Sequence, residues 1–233
     1  MNGNPAPAPS SIGRKLVVAL TGLGLVGFLL GHLAGNLQIF GGPEPLNAYA
    51  QTLKDLGPAL WVVRLGLLAI ALAHVVLTLR LAAENRAARG SRYAVERRIQ
   101  ASAGSRSMLL TGLVVLAFVL YHLAHYTWQV AHPEFAGRLD AAGRHDVYSM
   151  VVGSFQQPHI AGLYVVALVL LGLHLSHGVS SVFQTLGFRH PKYEKLLTRA
   201  GPVFGALVAA GYLSIPLAVQ AGLLALPPGV TFP

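Results

Sequence analysis

The sequence predicts an all-α integral membrane protein: one domain over residues 1–233, built as a bundle of five transmembrane helices. Three observations predict it. Hydrophobic residues make up 54 % of the chain and charged residues 11 %, against about 25 % charged in an average soluble domain. Five apolar stretches are long enough to cross a hydrocarbon core about 30 Å thick at about 1.5 Å per residue. Thirteen of the 17 basic residues fall in alternate connections, on one side of the predicted helices. A net charge of +9 therefore describes membrane topology, and no nucleic-acid partner is expected. The chain has no cysteine, which excludes disulfides, zinc–thiolate sites, iron–sulfur clusters held by this chain and covalent c-type haem.

The predicted helices run, in order, over about 16–40, 59–83, 107–130, 158–187 and 202–226. No alternating barrel pattern occurs, and in lipid a run of this length satisfies its backbone as a helix. The segment before them, Met1 to Ser11, is Pro-rich and uncharged, so it lacks the pattern of a cleaved signal and the first helix is expected to be retained. Gly41-Gly42-Pro43, Gly57-Pro58 and His190-Pro191 mark short linkers. The longest connection, Ala131 to Gln157, is expected to carry a short interfacial helix over Tyr148 to Phe155.

Charge sets the expected orientation. Arg14, Lys15, the arginines from Arg80 to Arg106, and Arg189, Lys192, Lys195 and Arg199 fall on one side, which sums to +10; the opposite side sums to −1. The N-terminus is therefore expected in the cytoplasm. Trp61 and Trp128 then fall at the outer interface. The Arg80–Arg106 segment either docks a partner subunit on the cytoplasmic face or meets anionic lipid.

An internal repeat links the first and third helices at an offset of 90. Thr21-Gly22-Leu23 recurs as Thr111-Gly112-Leu113, and Phe28, Leu30, His32, Leu33 and Ala34 recur as Phe118, Leu120, His122, Leu123 and Ala124. Six of the ten histidines lie within apolar helices: His32, His74, His122, His125, His174 and His177. Ionisable groups at such depth face the bundle interior and need partners. His32 and His122 lie in the half expected to be outer, whereas His74, six residues before Arg80, and His174 lie deeper towards the inner side.

Two histidine pairs at two depths suit two haems. Imidazole ligates haem iron, and one ring on each face leaves no open position, which favours electron transfer over oxygen binding. Zinc suits the pattern less well, because it takes four ligands at one depth and no Asp or Glu lies within a helix core. A proton pump is weakened by the same absence. Gly27, Gly31 and Gly35 flank His32 as GxxxGxxxG, and Gly172 and Gly178 flank His174 and His177. Such residues serve helix packing, room for a flat macrocycle, or both. Ser11, Arg14, Arg106 and Ser107 are placed for the propionates of an inner haem, and Arg64 for those of an outer one; each also suits a plain interfacial anchor.

The motifs SSIGRK, FLLGHLAGNLQIF, LAHVVLTLRLA, FVLYHLAHYTW and LGLHLSHGVSSVFQTLG together resemble the single-chain cytochrome b membrane anchor of succinate dehydrogenases and fumarate reductases, the five-helix, two-haem type. The likeness covers about Ser10 to Ile215. It implies five helices enclosing two stacked b-type haems, the outer held by His32 and His122 and the inner by His74 and His174. His125 and His177 are the rival ligands, each three residues after a proposed one. The resemblance further implies flavoprotein and iron–sulfur partner subunits on the cytoplasmic side of a bacterial inner membrane, in a complex that forms a dimer or a trimer. This chain would be the quinone-reactive subunit, exchanging electrons with menaquinone or another quinone, with no catalytic residue for dicarboxylate chemistry. Asn36 and Gln38, just beyond His32, are candidate donors to quinone carbonyls, and Glu44 is the candidate proton-handling carboxylate. The competing placement for the quinone is the inner interface near Ser11, Arg14 and Arg106. Two alternative functions compete with this one: a haem-free transporter or scaffold, and the cytochrome b subunit of a formate dehydrogenase or hydrogenase.

Overall fold

The computed structural model describes residues 11–87, 103–188 and 192–232. Most of the arginine-rich Arg80–Arg106 segment, and Arg189, His190 and Pro191, lie outside these residues. Within them the chain is helical, with seven α-helices: α1 (Ser11–Asn36), α2 (Pro43–Asp55), α3 (Pro58–Ala87), α4 (Ala103–His122), α5 (Val147–Gln156), α6 (Pro158–Thr185) and α7 (Glu194–Gln220). Five of them, α1, α3, α4, α6 and α7, are long and apolar enough to cross a membrane. Their outward faces are apolar: Trp61, Val62 and Leu65 on α3 and Leu207 on α7 are each at least 60 % exposed, as lipid-facing residues are.

Several boundaries differ from the sequence reading. The fifth span begins at Glu194 and ends at Gln220, a shift of about two turns towards the N-terminus relative to 202–226. Pro202 sits inside the helix instead of opening it, as membrane helices tolerate. Gly222 ends it: at φ +73° it lets Leu223 N–H reach the Ala218 carbonyl and its own N–H the Val219 carbonyl, a Schellman cap. Helix α3 continues about one turn beyond Ala83, and there Arg14 of α1 pairs with Glu84. Helix α4 finishes in a π-helical turn, Leu123–Thr127.

The expected interfacial helix is present as α5, capped by Asp146, whose carboxylate accepts from Ser149 N–H. Helix α2 was not anticipated. Its signals were Pro43 at the first turn, Glu44 beside the helix N-terminus and Lys54 in the last turn. Helices α2 and α5 close one end of the bundle. Asn47, 1 % exposed, joins them: its amide donates to Asp146 at 3.1 Å and to Asp140 at 3.3 Å, and its carbonyl accepts from Tyr148 N–H at 2.9 Å.

Helix α1 packs on α3 and α6, α4 packs on α6, and α7 lies along α6 and touches α1. The α6–α7 seam is made of small residues. A methyl added at Gly201 would come 2.1 Å from the Ser176 carbonyl oxygen, and one at Gly205 would come 2.4 Å from that of Gly172. Only glycine permits this approach of two helix backbones. In α1 the GxxxGxxxG run behaves differently: a methyl on Gly27 or Gly31 would meet nothing within 4 Å, and only Gly35 packs closely, against Tyr49 of α2.

Candidate functional site

The internal repeat acquires a physical meaning in three dimensions. Thr21 and Gly22 of α1 meet His74 of α3, and Thr111 and Gly112 of α4 meet His174 of α6. His74 Nδ1 lies 3.2 Å from Thr21 Oγ1, and His174 Nδ1 lies 3.3 Å from Thr111 Oγ1. The added methyl that each glycine lacks would fall 3.3 Å from His74 Cε1 and 3.2 Å from His174 Cε1. The threonine therefore holds the imidazole and the glycine makes room for it. The TGL motif in one helix serves a histidine in the next, not the histidine further along its own helix.

These contacts assign a tautomer. Thr21 Oγ1 donates its one proton to carbonyls of its own helix, Val17 at 2.8 Å and Val18 at 3.1 Å. Thr111 Oγ1 donates to the Met108 carbonyl at 3.2 Å. With its proton so used, each hydroxyl can only accept from the histidine. Nδ1 then carries the hydrogen, and Nε2 presents a lone pair. This is the metal-binding form, fixed by a hydrogen bond at the other ring nitrogen.

Ten residues beyond Gly22 and Gly112, about 15 Å further along each helix at about 1.5 Å per residue, come His32 and His122. Their ring centres are 5.9 Å apart and the ring planes are nearly perpendicular, at 84°. Two imidazoles on opposite sides of one iron would have centres about 6 Å apart, from a metal–nitrogen bond of about 2 Å and about 1 Å from nitrogen to ring centre on each side. His32 stacks on Phe28, and Tyr212 of α7 lies 6.2 Å away, its hydroxyl donating to the Leu29 carbonyl at 2.8 Å. Thus α7, through Tyr212, buttresses the side of α1 that carries His32.

His125, the rival to His122, is fully engaged elsewhere. It is 1 % exposed, with Nδ1 at 3.0 Å from Tyr164 Oη and Nε2 at 3.0 Å from Ser154 Oγ. Neither nitrogen is free for a metal. His125 lies in the π-helical turn after His122, and both histidines reach the Tyr164 hydroxyl; His125 is distinguished by the engagement of both its nitrogens. His177, the rival to His174, is half-buried on α6.

The remaining candidates occupy the ends of the bundle. Asn36 and Gln38 are half-buried at the close of α1, on the end that carries α2 and α5. Glu44 is exposed in the first turn of α2, where Arg144 Nη1 and Nη2 donate to its two oxygens at 2.9 and 2.5 Å. That fork holds the Glu44 carboxyl below its ordinary range and raises Arg144. Arg64 is exposed, its guanidinium 5.2 Å over the Trp61 ring. Arg14 pairs with Glu84 at the opposite end. The side chains of Ser11, Arg106 and Ser107 lie outside the described residues.

Thr21, Thr111, Tyr164, Ser154 and Tyr212 are the contributors that the sequence did not single out. Only the threonines left a signal, the repeated TGL. Comparison of the chain with protein-family models, with curated proteins and with solved structures found no match.

Proposed function

We propose that this chain is the membrane-anchor cytochrome b subunit of a succinate:quinone oxidoreductase, passing electrons between an iron–sulfur partner subunit and a membrane quinone, with menaquinone favoured. The observation that carries the proposal is the approach of half-buried His32 and His122 to 5.9 Å between ring centres, together with two further half-buried histidines, His74 and His174, each set with Nδ1 against a threonine of the repeat. His32 and His122 would hold one haem b, and His74 and His174 the other. A haem ligated by two histidines supplies one-electron transfer at an iron with no open position.

The protein's own part is to hold and insulate. Thr21 and Thr111 orient the deeper pair. Gly22 and Gly112 let those rings lie close to the helix backbone, and α7, pressed along the glycine seam, supports the α1 side through Tyr212. The quinone is assigned to the end closed by α2 and α5, beside His32, where Asn36 and Gln38 supply donors and Glu44 a carboxylate. The basic end beyond Arg14 would face the cytoplasm and receive the iron–sulfur and flavoprotein subunits.

The test is purification from the native membrane, with an absorption spectrum and subunit analysis. The expected result is a reduced b-type α-band from two haems per chain, with flavoprotein and iron–sulfur subunits retained. A chain free of haem would be a transporter or scaffold. A haem-loaded chain that carries formate dehydrogenase or hydrogenase subunits would keep the cofactor and lose the partner assignment. Glu44→Gln tests the quinone's place: quinone-linked turnover should fall while both haems stay bound. Unchanged turnover would favour the inner interface.

A further inference from the structure

A second, longer hydrogen-bond chain leads to His122, and its polarity is fixed from the far end. Ser154 Oγ donates to the Met150 carbonyl at 2.6 Å. A carbonyl only accepts, so the serine proton is committed and Ser154 Oγ is left as an acceptor. His125 Nε2, 3.0 Å away, must then carry a hydrogen and donate it. His125 is 1 % exposed, and an imidazole desolvated to that degree is neutral, which makes its Nδ1 an acceptor. Tyr164 Oη, at 3.0 Å, donates to it. With its own proton committed, the Tyr164 oxygen can only accept from His122 Nδ1, at 3.4 Å. His122 Nε2 is thereby left as a lone pair.

We infer that Ser154, His125 and Tyr164 are positioning residues that set the tautomer and donor strength of His122, and through it the properties of the outer haem site alone. The inference rests on the cytochrome b assignment above. Each pair is thus supported in a different way. The deeper histidines bond to threonines that end on carbonyls of their own helices. His122 bonds to a chain that crosses from α4 to α6, back to the π-helical turn and on to α5, ending at Met150. The carbonyls of Val17, Val18, Met108 and Met150 play the same part, taking the hydroxyl proton that the neighbouring histidine would otherwise receive. Bonds in such a chain polarise one another. An imidazole whose distal N–H is accepted is a stronger donor to its metal, which stabilises the oxidised iron.

His125 lies in the π-helical turn that α4 adopts directly after His122. Its bonds to Tyr164 and Ser154 occupy both ring nitrogens and convert a rival ligand into a support.

The experiment is spectrally resolved redox titration of the native complex carrying Tyr164→Phe, Ser154→Ala or Ser154→Thr. Phe removes the oxygen that accepts from His122. Ala removes the acceptor for His125 Nε2–H, so His125 can reverse its tautomer and donate from Nδ1 to the Tyr164 oxygen, competing with His122 Nδ1–H for that acceptor. Both variants should retain two haems, with the outer one shifted to easier reduction by about tenfold, or about 59 mV for one electron, and the inner one unmoved. Ser154→Thr keeps the hydroxyl and should restore the wild-type potential. Equal shifts at both haems, or an unmoved outer potential in Tyr164→Phe and Ser154→Ala with two haems bound, would overturn the inference while leaving the cytochrome assignment standing. A wild-type complex without haem would instead overturn that assignment.

Discussion

Thr111→Val isolates one contact in the deeper pair. Valine reproduces the shape of threonine and removes the hydroxyl. Thr111 is 2 % exposed, so water does not readily replace that hydroxyl. His174 Nδ1–H, now 3.3 Å from Thr111 Oγ1, would lose that acceptor and be left with the Met108 carbonyl alone. Losing one hydrogen bond costs about 0.5–1.5 kcal/mol net. If that cost falls on the ligating tautomer, haem affinity at the inner site drops about 2- to 13-fold. The assay is haem loading of membranes under limiting haem, with the two sites distinguished by spectrum and potential. The expected result is selective loss of the inner haem, rescue by Thr111→Ser, and the same selective loss in Thr21→Val, which acts on His74. Full inner-site affinity in both valine variants would refute the threonine assignment. Selective loss of the outer haem would show that each TGL serves the histidine of its own helix after all.

Three further outcomes are expected. His74→Ala should remove one haem and leave the other, whereas His125→Ala should retain both because its nitrogens are already occupied by Tyr164 and Ser154; haem quantitation on purified protein decides. Gly201→Ala and Gly205→Ala should each lower the thermal midpoint strongly, since the new methyl meets helix backbone and overpacking costs about 1–3 kcal/mol or more, while Gly162→Ala, with nothing within 4 Å, should match wild type. The Glu44–Arg144 fork should make closure of the α2–α5 end pH-dependent. Because the Glu44 pKa is lowered below 4.5 on folding, its stabilising contribution is complete above that value and is lost as pH falls through the lowered one. Proteolysis at the Gly137–Gly143 loop should therefore rise in acid, and Glu44→Gln should flatten that acid dependence.

Much of this architecture is legible in the sequence, because the lipid phase removes alternatives. A run of about 20 apolar residues has one way to satisfy its backbone, so five spans follow from composition and length alone. The cost of a buried imidazole likewise makes His32, His74, His122 and His174 visible without coordinates. Helix ends were less legible: Pro202 looks like a start and lies inside α7, and α2, being polar, does not announce itself by hydropathy. The roles of Thr21, Thr111, Tyr164 and Ser154 were not legible at all. A hydroxyl in a membrane helix can always bond to its own backbone, and all but Tyr164 do so here. Whether the same oxygen also receives a histidine from another helix depends on which helices touch and at what rotation. Only the tertiary structure decided that TGL in α1 and α4 meets His74 and His174, and that Tyr164 and Ser154 occupy both nitrogens of His125. Sequence determines which groups are too costly to bury alone, and packing determines which partner each one finds.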